Sequence, residues 1–283
     1  MELFTEFATA ALGLMAAASW GAGDFTGALA SRRASLFSLL LYLRIIEFAL
    51  LVVLALVTVE PLPSLSVLAW GGAAGFCGGL ALAALYRALS MAPMGLSAPL
   101  SAVIAASVPV LFAAVTEGLP STYRLLGFGL ALVGVWLIAR PSNGGHSSQG
   151  LTFAVIAGVG FGAFYILLRE AGSSGVFWPL AAALFVSLMQ AVVILLVWRT
   201  LWRQPSWPTM RLGAVAGVLD VGGNVFYVLA NHAGRLDVAV ILSSLYPAFT
   251  VLLAWIILRE HLTRWQWIGV ITVLAAIPLV AVG

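Results

Sequence analysis

The chain has 283 residues, of which 63% are hydrophobic and only 8% charged, and its mean hydropathy is +1.11. An average soluble domain is about 25% charged, so a water-soluble globule is excluded for want of polar surface. All 13 basic residues are arginine, which removes the lysine that a Walker-type phosphate loop or a retinal or pyridoxal phosphate Schiff base requires, and with it a self-contained ATP-driven pump.

The N-terminal stretch MELFTEF has no basic residue before its apolar run, so it does not read as a cleaved signal peptide and the first hydrophobic segment is expected to be kept. A bilayer span needs about 20 apolar residues. Windows of that size fall at 7–29, 36–58, 67–88, 94–115 and 123–140, then at 151–170, 176–198, 210–232, 238–258 and 265–282. Polar punctuation separates them, as in SRRAS, EPLPS, EGLPST and RQPSWP. The longest polar connection, Arg140 to Gly150, is rich in glycine and serine and lies at the midpoint, as a flexible linker would. The expected organisation is residues 1–140 as a first repeat, 141–150 as the linker and 151–283 as a second repeat.

The halves resemble each other at an offset of 141–143 residues. Glu117 falls opposite Glu260, Ser101 opposite Ser244, Tyr86 opposite Tyr227, and Trp20-Gly21 opposite Phe161-Gly162. Five is an odd number of spans, so two homologous halves must cross the membrane in opposite senses. The expected fold is an all-α integral membrane protein of ten transmembrane helices in two five-helix inverted repeats, with any substrate near the midplane between them.

Four features together resemble the drug/metabolite transporter superfamily, and within it the ten-span EamA type: the ten spans, the Trp20-Gly21 pair, Arg44 in span 2, and the small-polar, proline, glutamate and glycine signatures around Glu117 and Glu260. The resemblance covers nearly the whole chain and implies a metabolite exporter, with relatives that move amino acids. One departure is visible. Span 9 carries Pro247, but Ile104 holds the matching place in span 4, and Pro109 five residues later would displace the kink.

Span 8 contains the stripe that needs explaining. Asp220, Asn224, Tyr227 and Asn231 are spaced four, three and four apart, which places them on one face of a helix. A charge at the bilayer centre costs about 2.5–3.5 kcal/mol on insertion scales. The stripe either glues span 8 to its neighbours or lines a cavity, and the charge favours the cavity. Asp24 stands one turn after Trp20 in span 1. Arg44 and Glu47, three apart in span 2, either pair with each other or leave the arginine to hold a carboxylate bidentately. Ser97, Ser101 and Ser107, and Ser243, Ser244 and Tyr246 beside Pro247, are softer candidates, since membrane serines commonly bond their own backbone. Trp198, Trp202 and Trp207 read as an interfacial belt, whereas Trp20 and Tyr165 lie nearer mid-span and could stack on a substrate. The cavity residues expected are therefore Trp20, Asp24, Arg44, Glu47, Tyr86, Ser101, Tyr165, Asp220, Asn224, Tyr227, Ser243, Ser244 and Tyr246.

No cofactor is expected. Cys77 is the sole cysteine, and His146, His232 and His261 show no metal-ligand spacing. The net charge of +3 and pI near 9.4 reflect interfacial arginines, so the expected partners are lipid and a small-molecule substrate rather than nucleic acid. The oligomeric state is left open, and a monomer suffices. An intramembrane enzyme finds no GxSxG or paired-histidine motif in support, and a purely structural subunit would leave the polar stripe without purpose. A secondary transporter of small amphipathic zwitterions, foremost neutral and aromatic amino acids, is the reading, with an organic-cation exporter as the alternative. Carboxylates permit proton coupling without requiring it.

Arginine placement sets the expected orientation in a bacterial-type inner membrane. The odd-numbered connections carry nine (Arg32, Arg33, Arg87, Arg140, Arg199, Arg203, Arg211, Arg259 and Arg264), and the even-numbered ones carry Arg124, Arg169 and Arg235. Basic residues favour cytoplasmic loops, which puts both termini on the non-cytoplasmic side.

Overall fold

The computed structural model describes residues 2–31, 36–91, 94–138, 148–171, 175–198, 202–258 and 263–282. Among them, eleven α-helices and no strand are found: α1 (Glu2–Ser31), α2 (Leu36–Val57), α3 (Leu65–Met91), α4 (Met94–Thr116), α5 (Thr122–Ile138), α6 (Ser148–Ala171), α7 (Phe177–Val197), α8 (Trp207–Ala233), α9 (Leu236–Ser243), α10 (Tyr246–Leu258) and α11 (Arg264–Val282). Glu260, His146, His261 and most of the linker lie outside the described residues, as do the side chains of Tyr86 and Ser97.

Among the described residues, six segments are long and apolar enough to cross a bilayer: Phe37–Val57, Leu65–Leu85, Gly150–Ala171, Phe177–Val197, Trp207–Ala233 and Leu236–Ile257. Leu100–Thr116, Thr122–Leu137 and Arg264–Ile277 are shorter apolar helices. Leu56, Val115, Ile256 and Ile271 are all exposed on the perimeter, a surface suited to lipid rather than water. By length and composition these are the helices of a multi-pass membrane protein.

The ninth window does not form one continuous helix. It breaks at Ser244–Leu245 into α9 and α10. Pro247 has no N–H to offer the carbonyl four residues back. The hydroxyls of Ser243 and Ser244 instead donate to the carbonyls of Val240 at 3.1 Å and Ile241 at 2.8 Å. Tighter three-residue bonds carry the chain across the gap, Leu245 N–H to Leu242 and Ala248 N–H to Leu245. The matching helix α4 runs unbroken through Pro109, so the displaced kink expected there does not interrupt it.

Helices lean mainly on the opposite half. α1 packs along α8 and against α9 and α10, while α6 packs along α3 and against α4. α2 lies on α7 and α8, α3 lies on α7, and α5 lies on α11. The core therefore sits on the seam between the halves, where Leu168, Tyr227, Leu236 and Ile241 are almost fully buried.

Because successive helices reverse direction, α1 begins, α2 ends and α8 ends on one side, here the terminal face. The opposite side is the distal face. At the terminal face α2 closes in a left-handed cap at Val59 (φ 54°), with Glu60 N–H bonding the Ala55 carbonyl at 2.9 Å. A β-branched residue is disfavoured in that conformation, and what it achieves is to aim Glu60. The Glu60 carboxylate accepts the first backbone N–H groups of α7, Val176 at 2.9 Å, Phe177 at 3.0 Å and Trp178 at 3.0 Å. A carboxylate suits the orphan donors and positive dipole of a helix start. This contact ties the first half to the second.

Candidate functional site

A central cavity of about 160 Å3 opens where α1, α2, α3, α6, α7, α8 and α10 converge. Three glycines of α3, Gly75, Gly78 and Gly79, form one wall. Gly75 lets α3 and α7 touch through their backbones, since a Cβ there would collide with the Ala183 carbonyl, while Gly78 makes room for the Phe164 ring and Gly79 for the Gln190 side chain. Opposite, Trp20 lies over Gly223, where a Cβ would meet the indole at 2.3 Å. The close approach of α1 to α8 that exposes the Trp20 ring to the cavity therefore depends on glycine at that position.

Aromatic rings floor the cavity. Trp20 stands 6.0 Å from Tyr165, 5.8 Å from Tyr227 and 6.5 Å edge-on from Tyr246, measured between ring centroids. Phe161 and Phe164 complete this side. Such a surface offers stacking and cation–π contact to a ligand.

Polar groups gather beside it. Arg44 holds Glu47 at 2.5 Å and reaches Asp220 at 3.4 Å through the same nitrogen. Glu47 is nearly fully buried behind the guanidinium, whereas the Asp220 side chain is 35% exposed. Asn224 donates to the Asp220 carboxylate at 3.1 Å and to its carbonyl at 3.0 Å, fixing the acid from one turn away. Asp24 joins from α1. One guanidinium thus faces two carboxylates, Glu47 and Asp220, while Asp24 adds a third acid to the lining, and the excess is acceptor.

Of the residues read from the sequence, Trp20, Asp24, Arg44, Tyr165, Asp220, Asn224 and Tyr246 line this cavity. Glu47, Tyr227, Ser101, Ser243 and Ser244 are not among its lining residues. Glu47 is buried behind Arg44 rather than presented to the cavity. Tyr227 is wholly buried, its hydroxyl donating to the Tyr165 carbonyl at 3.2 Å. Ser101 is buried where α4 meets α6, its carbonyl 2.7 Å from the Cβ that Gly158 lacks. Ser243 and Ser244 are buried and bond their own turn, as Ser107 does with Val103 at 2.7 Å. Tyr86 lies outside the described side chains. The glycine wall of α3, with Phe164 and Ser187, was missed. Phe161 had a signal, its match to Trp20 in the repeat.

The stripe of α8 divides by depth. Its upper members serve the cavity, but Asn231 belongs to a second polar cluster at the terminal face. Arg169, at the end of α6, pairs with Glu117 of α4 at 2.9 Å and donates to Asn231 at 3.5 Å. Arg235 reaches Asp237 at 2.9 Å and donates to the carbonyls of Glu117 at 3.2 Å and Gly118 at 3.1 Å. Hydrogen bonding to Asp237 raises the Arg235 guanidinium above its ordinary range. Gly118 itself takes the left-handed conformation (φ 89°) that turns its carbonyl toward Arg235. The ion pair of Arg124 with Glu6 at 2.6 Å lies at the same end. These contacts span both halves and seal the terminal face beneath the aromatic floor.

Residues 148–282 match the model of the EamA-like transporter family. An uncharacterized transporter of Synechocystis sp. is 25% identical over 210 residues, 72% of this chain and 64% of that protein. An uncharacterized protein of Haemophilus influenzae is 24% identical over 165 residues, 56% of each. The matched region is thus under two thirds of either relative. A protein known from its crystal structure superimposes with a TM-score of 0.74 over 96% of this chain and 95% of its own, at 19% identity, which shows a shared fold.

Proposed function

We propose, from the match of residues 148–282 to the EamA-like transporter family model, that the chain is a secondary transporter of small amine-bearing metabolites. Neutral and aromatic amino acids are its foremost substrates, carried by alternating access of two inverted five-span halves. The observation that carries the substrate class is the pairing of an aromatic floor with the partly exposed Asp220 carboxylate held by Asn224. An ammonium group carries donors only and fits the acceptor excess, while an aromatic or aliphatic side chain stacks on Trp20 and Tyr246. A volume of about 160 Å3 suits a small metabolite better than a drug-sized ligand, whose pockets run to about 300–1,000 Å3.

The packing supports two related halves. Exchanging first-half for second-half helices turns the α1–α8 contact into α6–α3, the α1 contact with α9 and α10 into α6–α4, and α2–α8 into α7–α3. The α2–α7 and α5–α11 contacts map onto themselves. The sealed terminal face supports a state closed at that end.

The test is flux into proteoliposomes with radiolabelled phenylalanine, competed by unlabelled neutral amino acids and by quaternary ammonium compounds. Saturable uptake of unchanged substrate, blocked by amino acids, is the expected result. The excess of acids at the site, Asp24, Glu47 and Asp220 against Arg44, favours a second reading, an organic-cation exporter, and competition by quaternary ammonium compounds alone would select it. No saturable flux of either class would defeat both.

The arginine bias proposes that both termini lie outside the cytoplasm. A periplasmic phosphatase fused after Gly283 is expected to be active in cells, and a fluorescent cytoplasmic reporter at the same place to be dark. The reverse pattern would place the termini inside.

A further inference from the structure

A second cavity, of about 380 Å3, lies away from the transport site and is lined by Leu41 of α2, Val192, Leu195 and Leu196 of α7, and Trp202. All five side chains are apolar. The groove sits at the distal face, where α2 begins and α7 ends, on the seam between the two halves. Next to Trp202, Arg203 N–H donates to the Ser38 hydroxyl of α2 at 2.8 Å. Trp202 is half exposed and Arg203 is exposed beside it.

Charge distinguishes this face from the other. At the terminal face Arg124, Arg169 and Arg235 are each paired with a carboxylate. At the distal face Arg203, Arg211 and Arg264 are exposed, and among the described residues none of them forms an ion pair. Unpaired arginines at a membrane surface attract anionic lipid headgroups, and an indole at headgroup depth anchors the same boundary. An apolar groove whose lining Trp202 is followed in the chain by such an arginine matches a charged head joined to a hydrocarbon chain. We propose that the groove between α2 and α7 binds one acyl chain of an anionic phospholipid, with Arg203 on the headgroup phosphate. The inference rests on the membrane reading above but not on the choice of substrate.

The full chain would be reconstituted in vesicles carrying equal mole fractions of brominated phosphatidylglycerol or brominated phosphatidylcholine, and tryptophan quenching measured. Subtracting the signal of Trp202→Phe isolates the groove, whatever the transport activity. Quenching of the Trp202 component several-fold stronger by the anionic lipid is expected, with the preference lost in Arg203→Gln, an exposed substitution that leaves packing intact. Val192→Phe, which fills the groove without adding a second indole to the signal, should also abolish it. Equal quenching by the two lipids would overturn the proposal in favour of unselective boundary lipid. A Trp202 component quenched by neither lipid, in a protein that light scattering finds dimeric, would assign the groove to a second copy.

Discussion

Asp220→Asn is expected to lower substrate flux about ten- to a hundredfold while the protein accumulates in the membrane at its normal level. The amide keeps the shape of the acid and can still bond Asn224, so packing of α8 survives. What is lost is the charge facing the cavity. A hydrogen bond to a charged group contributes about 1.5–3 kcal/mol, and every 1.4 kcal/mol is tenfold. Asn224→Ala acts one step away. It releases the carboxylate held at 3.1 Å and should reduce flux less, about severalfold by the weaker contribution of an uncharged donor. Flux assays paired with membrane-level quantification separate the outcomes. Normal flux in both variants would reduce the stripe to packing, and loss of the protein itself would make it structural glue.

Arg235→Ala is expected to be among the most damaging single changes at the terminal face. Asp237 is wholly buried, and its carboxylate is held by Arg235 and by the Val238 N–H at 2.8 Å. Removing one partner of a buried pair costs about 3–5 kcal/mol because the other is left uncompensated. At about 2–4 °C per kcal/mol for a chain of this size, the melting temperature in detergent should fall by roughly 10 °C. Arg235→Ala combined with Asp237→Ala should recover much of it. A double variant no better than the single would assign the loss to the carbonyls of Glu117 and Gly118, which Arg235 also holds.

The sequence exposed those features that repeat at helical spacing. Asp220 and Asn224 are four apart on an otherwise apolar helix, and Trp20 and Asp24 are four apart on another, so their shared faces could be read directly. The serines misled because a hydroxyl in a helix has a carbonyl within reach on its own turn. Composition alone does not say whether Ser244 uses it, and here it does. The glycine wall of α3 was invisible for a different reason. Gly75 matters through the Ala183 backbone, more than a hundred residues away, and no local pattern encodes that approach. The pairing of Glu117 with Arg169, and of Arg235 with the end of α4, is equally long-range. Glu117 was noticed only for its repeat match, and Arg235 only as a loop charge. The break in the ninth span was partly legible, since Pro247 follows two serines.

That break makes the two halves mechanically unequal. α9 and α10 are joined at Ser244–Leu245 by a short, weakly bonded link, and α1 grips both pieces, through Gly13 against α9 and through its Gly21 carbonyl, which accepts from the Thr250 hydroxyl of α10 at 3.1 Å. The counterpart α4 is one stiff rod. A rocker made of identical halves would rest with equal ease on either side, whereas one with a jointed strut on one side and a rigid strut on the other has a preferred resting position. An imbalance of only about 1.4 kcal/mol between the two postures sets a tenfold ratio of their populations. If the halves do alternate as proposed, the empty protein would wait predominantly with one door open, and its apparent affinity would differ between the two sides while the gradient alone sets the direction of net flow.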